Sequence, residues 1–224
     1  MSNARGDIRR ARLAAARLYL VTEASGGERA TESLLRAAFA GGVDIVQLRD
    51  KTADDQALLR AGELFRRLCD GHDALFIVND RPDLAVACAA DGVHLGQADG
   101  DLAGARHTVG DELLIGLSTH SPEQVDAGRA SRADYLGVGP VWETATKPGR
   151  AAVGLGLVEY AARAAGRPFF AIGGIDTARA PLVLDAGAER LAVVRAIRDA
   201  PDPQLAAAEL RSAIERKAGA RAVA

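Results

Sequence analysis

The chain has 224 residues, with 28 Lys and Arg against 30 Asp and Glu and a formal net charge of −2. One domain of that size hides roughly 70–75% of its unfolded surface, and a near-neutral balance disfavours nucleic acid as a partner. No run approaches the roughly 20 apolar residues of a membrane span, and Cys69 and Cys88 lack CxxC or metal spacing, which fits a reduced, cytoplasmic chain.

Residues 1–16 form a basic N-terminal extension or helix, with Arg5, Arg9, Arg10 and Arg12 against the single acid Asp7. They lack the apolar stretch of a secretory signal. Leu18–Thr22 is the first predicted strand. Thr31 opens a helix with the stripe Leu34, Leu35, Ala38 and Phe39, ended by Gly41 and Gly42. After a second strand at Asp44–Leu48, the residues Leu58, Ala61, Phe65 and Leu68 mark the buried face of the next helix. Strands follow at Leu75–Val78, Gly92–Leu95, Leu114–Leu117 and Tyr135–Val138. Before the last of these, Ser121, Pro122 and Gln124 read as a capping box with proline at the first helical position.

A seventh strand at Phe169–Ile172 leads to a stripe of Leu182, Val183 and Ala186 closed by Gly187. The eighth strand is Leu191–Val194, and a last helix starts near Asp202 and Pro203 carrying Leu205 and Leu210. Residues 217–224 read as a fraying tail. The strands are mostly continuous apolar runs, as expected where both faces are buried. Eight strands alternating with helices predict an α/β (β/α)8 barrel, the TIM-barrel architecture, as a single domain over 17–216; a doubly wound open sheet is the alternative. Around strands four to six the spacing drops to about twenty residues, which leaves room only for short helices.

A barrel of this kind places its chemistry at the carboxyl ends of the strands, where this sequence repeatedly carries polar residues. The second strand runs into Gln47–Leu48–Arg49–Asp50–Lys51 and the third into Asn79–Asp80. The fourth, containing His94, is followed by Gln97 and Asp99. Asp80 and Asp99 on adjacent strand ends form a hard-oxygen pair suited to magnesium; alternatively they cap the following helices. His94 lies inside an apolar strand and reads better as a hydrogen-bonded structural histidine than as a base. Ser118 ends the fifth strand, ahead of His120. The loop after the sixth is glycine-rich and holds Trp142, Thr144, Ala145, Thr146 and Lys147, a donor set suited to phosphate. Gly173–Gly174 and Val194–Arg195 end the last two strands, where barrels recurrently bind phosphate. Two anion sites in one mouth, one cationic with magnesium and one a backbone nest, suggest group transfer with pyrophosphate leaving.

At these residues the chain resembles thiamine phosphate synthase. The match runs in order through YLVT, QLRDK, IVND, HLGQAD, GLSTH, GVGPVWETATK, AIGGI and VVRAI, covering nearly the whole chain. The resemblance implies a transferase of thiamine biosynthesis that joins hydroxymethylpyrimidine diphosphate to hydroxyethylthiazole phosphate, releasing pyrophosphate. It implies that Gln47, Leu48, Arg49, Asp50, Lys51, Asn79, Ser118 and Lys147 bind the pyrimidine diphosphate. Thr144, Ala145, Thr146, Gly174, Val194 and Arg195 would hold the thiazole phosphate, and Asp80 and Asp99 would hold Mg2+. Asp50, Glu143, Ala145 and Arg195 depart from the family's usual residues, which puts the side-chain roles at 145 and 195 in question. The partners implied are small phosphorylated molecules, with neither nucleic acid nor membrane, and homo-oligomerisation is left open. The competing readings are a thiazole tautomerase and a non-catalytic sensor of thiazole phosphate.

Overall fold

The computed structural model describes residues 4–24, 26–98, 101–144 and 151–223. The predicted strands form β1 (Leu18–Thr22), β2 (Ile45–Leu48), β3 (Leu75–Asn79), β4 (Gly92–Leu95), β5 (Leu114–Thr119), β6 (Tyr135–Val138), β7 (Phe169–Ile172) and β8 (Leu191–Val193). All pair in parallel and in sequence order, and β8 returns to β1 to close the barrel. Closure leaves no sheet edge and settles the choice against an open sheet. The connecting helices are α2 (Glu28–Ala40), α3 (Asp55–His72), α4 (Pro82–Ala87), α5 (Leu102–Val109), α6 (Pro122–Ala130), α7 (Gly154–Ala164) and α8 (Ala180–Asp185). The short spacing is met by six to nine residues each in α4, α5 and α6. Helix α1 (Ala4–Ala15) precedes the barrel, and α9 (Arg195–Arg198) and α10 (Pro203–Val223) follow it; α10 includes the described part of the segment read as a fraying tail. None of the described helices is long and apolar enough to cross a membrane.

The strands alternate between two separate cores, which is why they read as unbroken apolar runs. Leu18, Leu20, Val46, Leu48, Phe76, Val78, Val93 and Leu136 face outward and pack under the helices. Tyr19, Val21, Ile45, Leu75, Ile77, Leu114, Tyr135, Phe170 and Ala192 point inward, joined by Leu13 and Ala16 from the N-terminal segment. Two helical stripes are narrower than their sequence suggests. Leu182 and Leu205 are 50% and 55% exposed, because α8 turns Val183 and Leu184 inward and α10 buries Ala207, Leu210 and Ile214 instead. The 207, 210, 214 spacing is one continuous helical face, and Leu205 lies off it.

Charged residues tie the amino ends of the strands. Asp44, Asp91 and Asp134 directly precede β2, β4 and β6. Each carboxylate accepts a backbone N–H near the start of the preceding odd strand, from Leu18, Phe76 and Ile115 respectively. Each also pairs with an arginine from an outer helix: Arg211 of α10, Arg66 of α3 and Arg106 of α5. The basic N-terminal residues complete this layer. In α1, Arg9 pairs with Asp91 at 3.0 Å, Arg10 with Asp134 at 2.8 Å and Arg12 with Asp73 at 3.0 Å, while Leu13 enters the inner core at 2% exposure. Burial alone would raise the Asp91 carboxyl, but the Phe76 N–H, Arg66 and Arg9 together hold it below the usual range.

Candidate active site in the barrel mouth

At the carboxyl ends of the strands the inner core gives way to a cavity of about 350 Å³. It exists because the upper inward positions carry small or polar residues: Gln47 of β2, Asn79 of β3, His94 of β4, Ser118 of β5 and Gly137 of β6. Gly116 is required by close approach, since a Cβ there would overlap the Tyr135 ring and crowd His94 Nδ1. Phe170 and Ile172 of β7 form an apolar wall opposite.

A continuous hydrogen-bond chain runs across the floor. Gln47 Nε2 donates to Tyr19 Oη at 2.6 Å, Tyr19 Oη lies 3.0 Å from Tyr135 Oη, and Tyr135 Oη lies 3.2 Å from His94 Nδ1. His94 Nε2 is 3.0 Å from Ser118 Oγ. Burial holds both tyrosine hydroxyls above their usual range, so they stay protonated at neutral pH. One donor sequence then runs Tyr19 to Tyr135 to His94 Nδ1 and leaves the Nε2 hydrogen for Ser118. His94 is thus hydrogen-bonded as expected of a structural histidine, and it also forms part of the cavity wall.

On one rim stand the residues after β2 and β3. Lys51 Nζ lies 3.0 Å from Asp80 Oδ2. Asn79 Nδ2 donates to that same oxygen, and Gly96 N donates to Oδ1 at 3.2 Å. Asp80 therefore aims across to the β4 end and caps no helix: Arg81 is the N-cap of α4, and Asp101 caps α5. Asp99, Ala145, Thr146 and Lys147 lie outside the described residues. Arg49 lines the cavity, its Nε is buried without an acceptor, and among the described residues it forms no ion pair. The remaining two residues of this segment face elsewhere. Leu48 is 2% exposed in the outer core, so its side chain faces away from the mouth. Asp50 accepts from Thr52 N, Thr52 Oγ1 and Ala53 N. Against the upward push of burial, those bonds lower its carboxyl; it builds the loop that presents Arg49 and Lys51.

The opposite rim is backbone. Gly173 and Gly174 adopt φ of +106° and +66°, a succession glycine permits at no steric cost. Val141 N and Trp142 N donate to Ile172 O and Gly173 O, stitching the loop after β6 onto the end of β7. The N–H groups of Gly174, Ile175, Val194 and Arg195 have no acceptor among the described residues. All four residues, with Thr144, line the cavity. Adjacent unpaired N–H groups converging on one volume constitute an anion nest.

The motifs supply most of this wall, Tyr19 of YLVT and Ile172 of AIGGI included, and the structure adds Tyr135, Phe170 and Arg179 from outside them. The signal for Tyr19 and Tyr135 was the strand period of two, which turns both residues toward the same interior as Gln47 and His94. Arg179 carried no signal, being an exposed residue of the connection leading into α8.

Known proteins share this chain's sequence and fold. The model of the thiamine monophosphate synthase family matches residues 18–197. Thiamine-phosphate synthase of Mycobacterium bovis is 52% identical over 216 residues, covering 91% of this chain and 96% of its own. The protein of the same name from Acidothermus cellulolyticus is 52% identical over 202 residues, covering 89% and 95%. The structure of thiamine phosphate pyrophosphorylase from Pyrococcus furiosus superposes with a TM-score of 0.81 at 33% identity, covering 93% of this chain and 98% of that one. The chain belongs to the thiamine monophosphate synthase family of transferases.

Proposed function

We propose that the protein condenses hydroxymethylpyrimidine diphosphate with hydroxyethylthiazole phosphate to give thiamine phosphate and pyrophosphate. The observation that carries this reading is the pairing of opposite rims: a buried Arg49 Nε without an acceptor on one side and an unpaired N–H nest on the other. Each suits one phosphorylated substrate, and the polar floor between them suits an aminopyrimidine ring. In this reading Arg49 and Lys51, with Lys147, bind the diphosphate, Asn79 and Ser118 orient the pyrimidine, and the nest with Thr144–Thr146 takes the thiazole phosphate.

The donor chemistry on the diphosphate side fits magnesium. Asp80 offers a carboxylate at the rim, fixed by Asn79 and Gly96, and Asp99 is the proposed second oxygen ligand. When bound, the ion supplies neutralising charge to the diphosphate oxygens. The chain's own part is electrostatic and positional. Arg49 and Lys51 stabilise negative charge as the methylene carbon–oxygen bond breaks and its electron pair leaves with pyrophosphate. The electron-rich aminopyrimidine carries the resulting cation, and the thiazole nitrogen lone pair forms the new carbon–nitrogen bond. No proton changes hands, so neither a protein nucleophile nor a dedicated base is needed. Holding the two rings within attack distance is the remaining task of the cavity. Both cysteines are free and buried, which suits the reducing compartment proposed for this chemistry.

The test is a thiochrome fluorescence assay of the purified chain with both substrates, with and without magnesium. Magnesium-dependent thiamine phosphate is the expected result. Thiazole phosphate binding without any product would replace the synthase by the tautomerase or the sensor.

A further inference from the structure

We propose that Arg179 is a positioning residue for the thiazole phosphate subsite, fixing the Gly173–Gly174 turn by its carbonyl while clasping the loop after β6; this rests on the functional reading above. Arg179 belongs to none of the motifs that carry the family resemblance. Its Nη1 donates to Gly174 O at 2.9 Å, and its guanidinium carbon lies 5.1 Å from the centroid of the Trp142 ring. Its own N–H donates to Asp176 Oδ1. Trp142, packed partly buried against the outer core, donates its N–H to Gly173 O at 3.1 Å.

These contacts decide where the nest's donors point. In a planar trans peptide the N–H is directed opposite to the preceding carbonyl. With Gly173 O held by Trp142 and Gly174 O held by Arg179, the N–H groups of Gly174 and Ile175 are turned to the other side. Those are two of the donors that have no acceptor among the described residues. Two consecutive glycines at positive φ have little conformational preference of their own, so a side-chain clasp removes freedom that ligand binding would otherwise have to remove. The fit is tight: a Cβ at Gly174 would lie 2.8 Å from Trp142 Cβ and 3.3 Å from Arg179 Nη1. The flat guanidinium is what permits one face on the indole and an edge on the carbonyl together, and a lysine cannot reproduce that.

Trp142 is the only tryptophan in the sequence, so its emission reports the clasp directly. Binding of hydroxyethylthiazole phosphate to the full chain is followed by calorimetry, alongside steady-state kinetics, for wild type, Arg179→Ala, Arg179→Lys and Trp142→Phe. Arg179→Ala is expected to raise Kd and KM for the thiazole phosphate roughly tenfold, about the loss of one or two well-oriented donors. KM for the pyrimidine diphosphate stays within about twofold and Trp142 emission shifts to the red as the ring loses its cover. Arg179→Lys recovers less than half of the loss, whereas Trp142→Phe, which keeps a ring under the guanidinium, stays within about threefold of wild type. If wild type binds the thiazole phosphate and Arg179→Ala binds it equally well, the positioning role is overturned while the synthase reading stands. Equal losses for both substrates, or full rescue by lysine, overturn it as well, by pointing to general damage or to charge alone. If wild type itself binds no thiazole phosphate, the functional reading fails first.

Discussion

The two ends of the barrel use the same residue types in opposite ways. At the amino end, arginines and aspartates satisfy one another: Asp91 sits between Arg9 and Arg66, and Asp134 between Arg10 and Arg106. Arg106 is 6% exposed and also donates to the carbonyls of Gly110, Leu113 and Arg132. At the carboxyl end, Arg49 and Arg195 form no ion pair with a described residue, and four nearby backbone N–H groups have no acceptor among the described residues. Closed polar networks rigidify a fold, whereas open ones are retained where a ligand completes them. On the proposed function, the contrast separates stability from chemistry along one axis of one domain.

Substitutions at each end should therefore fail in different assays. Arg49→Ala is expected to lower kcat/KM by about a hundredfold to a thousandfold, as for removal of a principal transition-state donor. The melting temperature stays within about 2 °C, because the side chain closes no core contact; equal loss of both properties would erase the distinction. At the other end, Asp134→Ala leaves Arg106 as a buried, uncompensated charge. The expected cost is about 3–5 kcal/mol, or a fall of roughly 10 °C in Tm, with unchanged turnover per folded molecule. Reduced turnover with an unchanged Tm would show that the amino end reaches the chemistry.

Tyr135→Phe tests the boundary, because this fully buried hydroxyl joins the inner core to the cavity floor. Its loss removes one hydrogen bond each from Tyr19 and His94, at about 1–3 kcal/mol, and loosens the His94 ring that Ser118 also holds. A moderate drop is expected in both Tm and kcat/KM for the pyrimidine diphosphate; an effect on only one would assign the residue wholly to one end. The smallest effect concerns pH. Because Asp91 is held below its unfolded value of about 3.9, its contribution is complete above about pH 4 and is lost as pH falls through the folded value. Asp91→Asn should destabilise the protein at neutral pH and flatten the acid limb of the stability profile, measured by urea unfolding between pH 3 and 7. An unchanged acid limb would deny Asp91 that role.

The wall of the site was legible wherever a motif stood at a strand end, as at Arg49, Asn79 and Gly174. Side-chain direction was less so. Leu48 belongs to the same motif as Gln47 and Arg49, yet it packs under the helices because neighbouring strand residues face opposite ways. Asp50, a carboxylate among cations, turned back on its own loop, a local hydrogen-bonding option that composition does not reveal. Leu182 and Leu205 looked like core and are exposed, since which helical face is covered depends on neighbours distant in the chain.

By itself, then, the sequence determined the strands, their order and the motif residues at their ends, because β-branched runs, glycine stops and short-range spacing are local properties. Only the tertiary structure decided between the predicted barrel and the open alternative, and showed that α1 seals the amino end through Arg9 and Arg10. It alone joined Gln47, Tyr19, Tyr135, His94 and Ser118 into one chain, and set Arg179 over Trp142. The floor chain links five different strands, and the clasp joins Trp142 to Arg179, 37 positions further along the chain. Contacts of that kind form only once barrel closure has fixed the positions of elements far apart in sequence.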